Sequence, residues 1–346
     1  MSKTNIKQST FLTYEELIKK LENRGLKIIE KDKLIWYIST YNYQNIINNF
    51  NEPFYQNKGF RSKKYLEYSN SQMIIDFFNF NRSISSIIIN DLHTIEMRLS
   101  SAISYEIMNI TKYPYFNEEY MNTIFDCTDD EFDYLNTNLN QILEQRKKNN
   151  SKDWTEVPLY DLSLIWTFGI SVQFFNKLKN TIQKTILEKC FSKIKNIELD
   201  TFKYLLFSFV SLRNKISHNE VIYNFKCEDN KNIFKICNKK DNRIKQKIKK
   251  KIEKDFSKLL NQKLGINLNI LYLIKIIGLI NNNKKLEEKI LDKIKELKNS
   301  IYKGKKKDNE TLQPSYYPCK EAWENICNFL GCKDNINKDN INIDDD

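Results

Sequence analysis

Histidine is nearly missing from this chain, with two in 346 residues. Glycine (7) and proline (5) are scarce as well. So few breakers over so many residues exclude a many-turned β fold and point to helices joined by polar loops, an all-α protein. The 7 cysteines are odd in number and include no Cys-x-x-Cys pair. With almost no histidine to share a metal, they read as free thiols in a reducing cytoplasm, and neither a metal nor a cofactor is expected. Long hydrophobic runs are missing too. The most apolar stretch, NILYLIKIIGLI near 269–280, carries Lys275 and is too short for a bilayer, so it reads as a buried helix. The opening residues, MSKTNIKQSTFLTYEELIKK, lack the charged start and apolar core of an export signal. The expectation is a cytoplasmic protein with no membrane partner.

Aromatic residues are plentiful, with 21 Phe and 19 Tyr in a chain that is 40% hydrophobic, enough to build a sizeable core. The net charge is +12. Such an excess points to a polyanion such as RNA, although AT-rich coding would also raise Lys, Asn and Ile. Position is the better guide. Residues 231–260 hold twelve Lys or Arg against Asp241, Glu253 and Asp255, which is most of the total excess.

Thr13 and Glu16 form a capping-box pair ahead of the stripe Leu17, Ile18 and Leu21, and Gly25 is a natural stop. From Lys64 to about Met108, apolar residues recur at threes and fours through Ile74, Phe77, Ile84, Ile88, Ile95 and Leu99. A single helix there would be unusually long, so the spacing predicts a break near Asn79–Asn81. A helix is expected near 135–147. Beyond it lies an apolar helix pair in which Gly169 permits close packing or a kink. Another helix opens on an Asp200 cap, and two more follow near 266–280 and 284–302. The segments expected are an N-terminal helical region (1–63), a helical core (64–228), a basic helical extension (229–310), a small module (311–332) and a disordered tail (333–346).

One of the two histidines stands in SLRNKISHNE, residues 211–220. At about 100° per residue, Arg213 and His218 point to different sides of a straight helix, whereas Asn214 and His218 share a face. Either the helix ends near Ser217, with Asn219 as the cap, and the two side chains converge, or each reaches a groove shared with a second copy. An imidazole titrating near ~6.5 takes and returns protons at neutral pH. A guanidinium offers phosphate oxygens a permanent planar fork. Together they suit RNA cleavage without a metal. The 2′-hydroxyl, deprotonated by histidine, attacks the adjacent phosphate while arginine stabilises the developing charge. One histidine cannot easily be both base and acid, so a symmetric dimer carrying two copies of the motif is expected.

LRNKISHN resembles the signature of the HEPN superfamily: an arginine, a polar residue, then a histidine four to six positions after the arginine. More closely, the chain resembles the Abi-like branch, the AbiD/AbiF-type abortive-infection proteins. LIKKLENRGLKI, NFNRSISSIIINDLHTIEMRLS, LSLIWTFGISVQFF and LRNKISHNEVIYN carry the match in order, from about residue 13 to 224, with a weaker echo in YYPCKEAWENICNFLG. Asn81 stands where the family usually has Asp, and a second histidine common after the arginine is missing.

The resemblance implies a HEPN-type helical bundle and a dimeric, metal-independent ribonuclease that acts against phage. It makes Arg213, Asn214 and His218 the catalytic set, with Glu96 supporting it either by polarising Arg213 or by holding two helices together. It also implies RNA as partner, both as substrate and as a bound small non-coding RNA. Lys215, Lys239, Lys240, Arg243 and Lys247 are the candidate RNA contacts. His93, one turn before Glu96, reads as a surface or packing histidine rather than a second catalytic base. A non-catalytic RNA-binding protein on the same scaffold is the alternative, and a helical scaffold without RNA a third.

Overall fold

The computed structural model describes residues 11–56, 63–116, 119, 121–146, 154–225, 242–260, 269–303 and 319–330. These residues are helical throughout their regular structure. No strand forms among them beyond isolated bridges such as Lys27–Asn70 and Phe125–Leu178. The fold is all-α. Packing divides the chain into two compact units, Met1–Ile84 with Ile290–Asp346, and Ser85–Lys289.

In the first unit, helix α1 (Tyr14–Glu22) starts as its sequence dictates. The Thr13 amide donates to Glu16 Oε2 at 2.8 Å, and the Glu16 amide donates back to Thr13 Oγ1 at 3.3 Å. Gly25 closes the helix at φ 90°, with its own N–H on Glu22 and that of Leu26 on Leu21. Helix α2 (Lys31–Tyr41) lays Leu34 and Ile38 inward. The C-terminal helix of this unit, Lys320–Leu330, buries Ala322, Trp323, Ile326 and Leu330, and Asn325 donates to the Pro53 carbonyl at 2.9 Å.

Helix α3 (Ser71–Thr111) begins in the first unit and continues into the second as one uninterrupted element. The break expected at Asn79–Asn81 does not occur. No Gly or Pro lies within 71–111, and the polar side chains are accommodated with the main chain helical. Asn79 donates to the Tyr37 hydroxyl at 2.9 Å. Asn81 is buried among Phe77, Phe78 and Phe80. Tertiary burial, not local propensity, carries the helix through this polar stretch.

The second unit packs the rest of α3 with α4 (Met121–Ile124), α5 (Asp129–Arg146), α6 (Leu159–Ile165), α7 (Phe168–Lys177), α8 (Asn180–Cys190) and α9 (Leu199–Ser217). To these it adds α10 (Asn242–Leu259) and α11 (Ile270–Asn281). The stretch at 269–280 is the buried helix its composition predicts, and no described helix is long and apolar enough to cross a membrane. Gly169 serves neither a kink nor a close approach. The turn comes earlier, where Thr167 caps α7, and a Cβ on Gly169 would meet Val210 only at an ordinary 3.9 Å.

Helix α9 is the centre of this unit. Phe202, Leu205, Leu206, Phe209 and Leu212 are fully buried, and the helix packs against α7, α8 and α10. Its N-cap is Glu198, not Asp200, which lies in the first turn. The Glu198 side chain makes no cap bond. Instead Asp255, reaching over from α10, accepts from the Glu198 amide at 3.1 Å and from the Thr201 hydroxyl at 2.6 Å. A carboxylate from another helix satisfies the exposed donors and suits the positive end of the helix dipole.

Candidate active site at the end of helix α9

The apolar face of α9 fixes where its last turn must lie. Leu212 and Ile216 are buried, and beyond the turn Ile222 and Tyr223 are buried again. The polar residues 217–220 are therefore an exposed loop pinned on both sides. The helix ends at Ser217, and Asn219 takes the left-handed conformation at φ 54°. The Asn219 N–H reaches the Ile216 carbonyl at 3.0 Å, and that of Glu220 reaches Lys215 at 2.8 Å. This is the glycine-type helix stop, made here by asparagine, the side chain that tolerates it best.

Arg213 is turned toward α3. Its Nε lies 3.5 Å from Glu96 Oε2, and both side chains are largely buried, at 27% and 13% exposure. The distance makes an ion pair, but the angle does not make a hydrogen bond, so this buried N–H has no hydrogen-bond partner among the described residues. Charge attraction at this range does not depend on alignment, whereas the hydrogen bond does. Nη1 donates to Asn214 Oδ1 at 3.3 Å. Glu96 thus both holds α3 to α9 and orients the guanidinium, the two roles its position allows.

The structure brings Arg213, Asn214 and Glu96 together. His218 sits at the helix terminus with its main-chain N–H on the Asn214 carbonyl at 3.0 Å. Its imidazole is exposed and makes no hydrogen bond among the described residues. Asn214 therefore holds His218 through the main chain and Arg213 through the side chain. Lys215 pairs with Glu220 at 3.0 Å, an exposed and easily screened contact. Lys239 and Lys240 lie outside the described residues. Arg243 and Lys247 lie on α10, with side chains outside them. On the described part of that helix Lys250, Lys254 and Lys258 are exposed, while Ile252, Asp255 and Phe256 face α9.

No three His, Cys, Asp or Glu side chains gather as metal ligands would, among the described residues. Burial pushes the thiols of Cys127, Cys190 and Cys319 up, which keeps them protonated at neutral pH and poor as ligands or nucleophiles.

The pattern of the family described as Abi-like protein matches residues 36–224, more than half of the chain. The chain belongs to that family. The match takes in Glu96 and the whole SLRNKISHNE segment. It leaves out LIKKLENRGLKI at one side, and the basic helix and YYPCKEAWENICNFLG at the other. No curated protein and no solved structure gives a match.

One feature of the site, the Asp255 cap, had no signal in the sequence, and another, His93, had a signal that pointed elsewhere. Asp255 reads there as one acid diluting a basic run, and only the fold shows it capping α9. His93 reads as a surface residue, and it is indeed exposed. Yet it stands on α3 just one turn ahead of Glu96.

Proposed function

We propose that this Abi-like protein is a HEPN-type endoribonuclease of abortive infection, cutting RNA at Arg213, Asn214 and His218 without a metal. The observation that carries the reading is the build of the motif. A permanent cation is paired with a neighbouring carboxylate at the end of a buried helix, and an imidazole with no partner among the described residues lies in the exposed turn just after it. Family membership supports the defence role.

In the proposed step His218 takes the proton of a ribose 2′-hydroxyl. The 2′-oxygen attacks the adjacent phosphorus, and the bond to the 5′-oxygen breaks. Arg213 neutralises charge on the non-bridging oxygens, and Asn214 keeps its fork in place. The departing 5′-oxygen takes a proton from a second imidazole. The products are a 2′,3′-cyclic phosphate and a 5′-hydroxyl. A symmetric dimer is one source of the second imidazole, and it is the source the motif alone calls for. An exposed ridge on α3 that includes Met97 and Tyr105 supports a second copy as partner. The lysines of α10 suit the phosphates of RNA, whether substrate or a resident small RNA.

The test is incubation of the purified protein with end-labelled single-stranded RNA in EDTA, beside His218→Ala. Cyclic phosphate ends that vanish in the variant are expected. RNA that is bound but left intact by the wild-type protein, also in phage-infected extract, would favour the alternative, a non-catalytic RNA-binding defence protein.

A further inference from the structure

The chain has two histidines, one at the end of α9 and one on α3, the two helices joined by the Arg213–Glu96 ion pair. His218 ends the turn after Arg213, and His93 lies three residues before Glu96 on α3. Side chains three apart on a helix are neighbours, with Cβ atoms about 5–6 Å apart. Arg213 in turn touches Glu96 at 3.5 Å. Two short steps therefore lead from the guanidinium to His93. Nothing structural occupies His93. Its side chain is exposed, makes no hydrogen bond among the described residues, and packs no core. It also lies outside the buried face of α3, which runs through Leu92, Ile95, Leu99 and Ile103. It borders that face on the side where Glu96 lies, about 60° further round the helix.

We propose that His93 is the general acid of the reaction, donating the proton to the departing 5′-oxygen while His218 of the same chain is the base. The inference rests on the ribonuclease reading and names the second imidazole that reading requires. The scissile phosphate then sits against Arg213, with the two imidazoles as its proton acceptor and donor. The base removes the 2′-proton as the O2′–P bond forms, and the acid supplies a proton as the P–O5′ bond breaks. One proton is taken and one is given, so no co-reactant is needed. A single chain then holds a complete acid–base pair, and a dimer, if formed, is not required for the proton.

Loss of a general acid has a chemical signature that misfolding or lost binding does not share. A substrate in which sulfur replaces the bridging 5′-oxygen has a leaving group that departs without protonation. His93→Gln is expected to cut ordinary RNA at least 10²-fold more slowly than wild type, in line with the usual contribution of such a group, and to recover near wild-type rates on the sulfur-bridged RNA. His218→Gln is expected to stay slow on both. Three results would overturn the assignment. Wild-type cutting of ordinary RNA by His93→Gln would return the acid to a second copy of His218. Equal slowing on both substrates would make His93 a binding or folding residue. Cutting by His218→Gln at the wild-type rate would remove the underlying ribonuclease site, and the acid with it.

Discussion

At its N-terminal end, helix α9 is tied down by its neighbours. Asp255 caps it, Phe202 meets the rings of Phe175 and Phe191 at centroid distances of 5.4 and 4.9 Å, and Tyr204 lies 6.1 Å from Phe256. About five turns later the same helix ends among polar groups. There Arg213 is held by one carboxylate at a loose 3.5 Å, and among the described residues a buried N–H goes without a hydrogen bond and an exposed imidazole without a partner. The contrast separates two duties. The first end spends its buried side chains on holding position. The second leaves groups unsatisfied, as a site must if a phosphate is to be better bound than water. Stability and chemistry should therefore respond to substitutions at opposite ends.

The largest effect expected is at the polar end. His218→Ala should lower RNA cleavage by about 10²- to 10⁴-fold while leaving the thermal midpoint where it was. A parallel fall in stability would mean that the two ends are not separate. At the closed end, Phe202→Ala should cost about 3–5 kcal/mol of stability, read from denaturant unfolding, because a fully buried ring is lost. Asp255→Ala should cost about 1–3 kcal/mol, since the Glu198 amide and Thr201 hydroxyl lose a buried acceptor. Asp255→Asn should recover part of that. Smallest, and of opposite sign, Gly169→Ala should stabilise α7 by about 0.5–1 kcal/mol, because the added methyl meets only ordinary contact.

What could be read from the sequence was whatever neighbours in the chain decide for themselves. The capping box at Thr13 and Glu16, the stop at Gly25 and, of the two alternatives at SLRNKISHNE, the helix end near Ser217 are all local devices, and the structure has each of them. The break expected at Asn79–Asn81 failed because burial of Phe77, Phe78 and Phe80 outweighs two polar residues. Asp200 was a sound local choice for a cap. It lost to Asp255, which arrives from 55 positions along the chain and so leaves no mark in any window of sequence. The pairing of Glu96 with Arg213 came from family resemblance, and no periodicity could have supplied it.

Helix α10 shows what one acidic residue can fix. Ile252, Asp255 and Phe256 are the side that α9 accepts, so the azimuth of every lysine on the described helix follows from them. Inserting one alanine between Ile252 and Asp255 would keep all the charges and most of the helix. It would also rotate Lys250, and everything before it, by about 100° relative to the anchored end. The direction in which this helix presents positive charge is thus set by a carboxylate, and it is open to alteration without changing the charge at all.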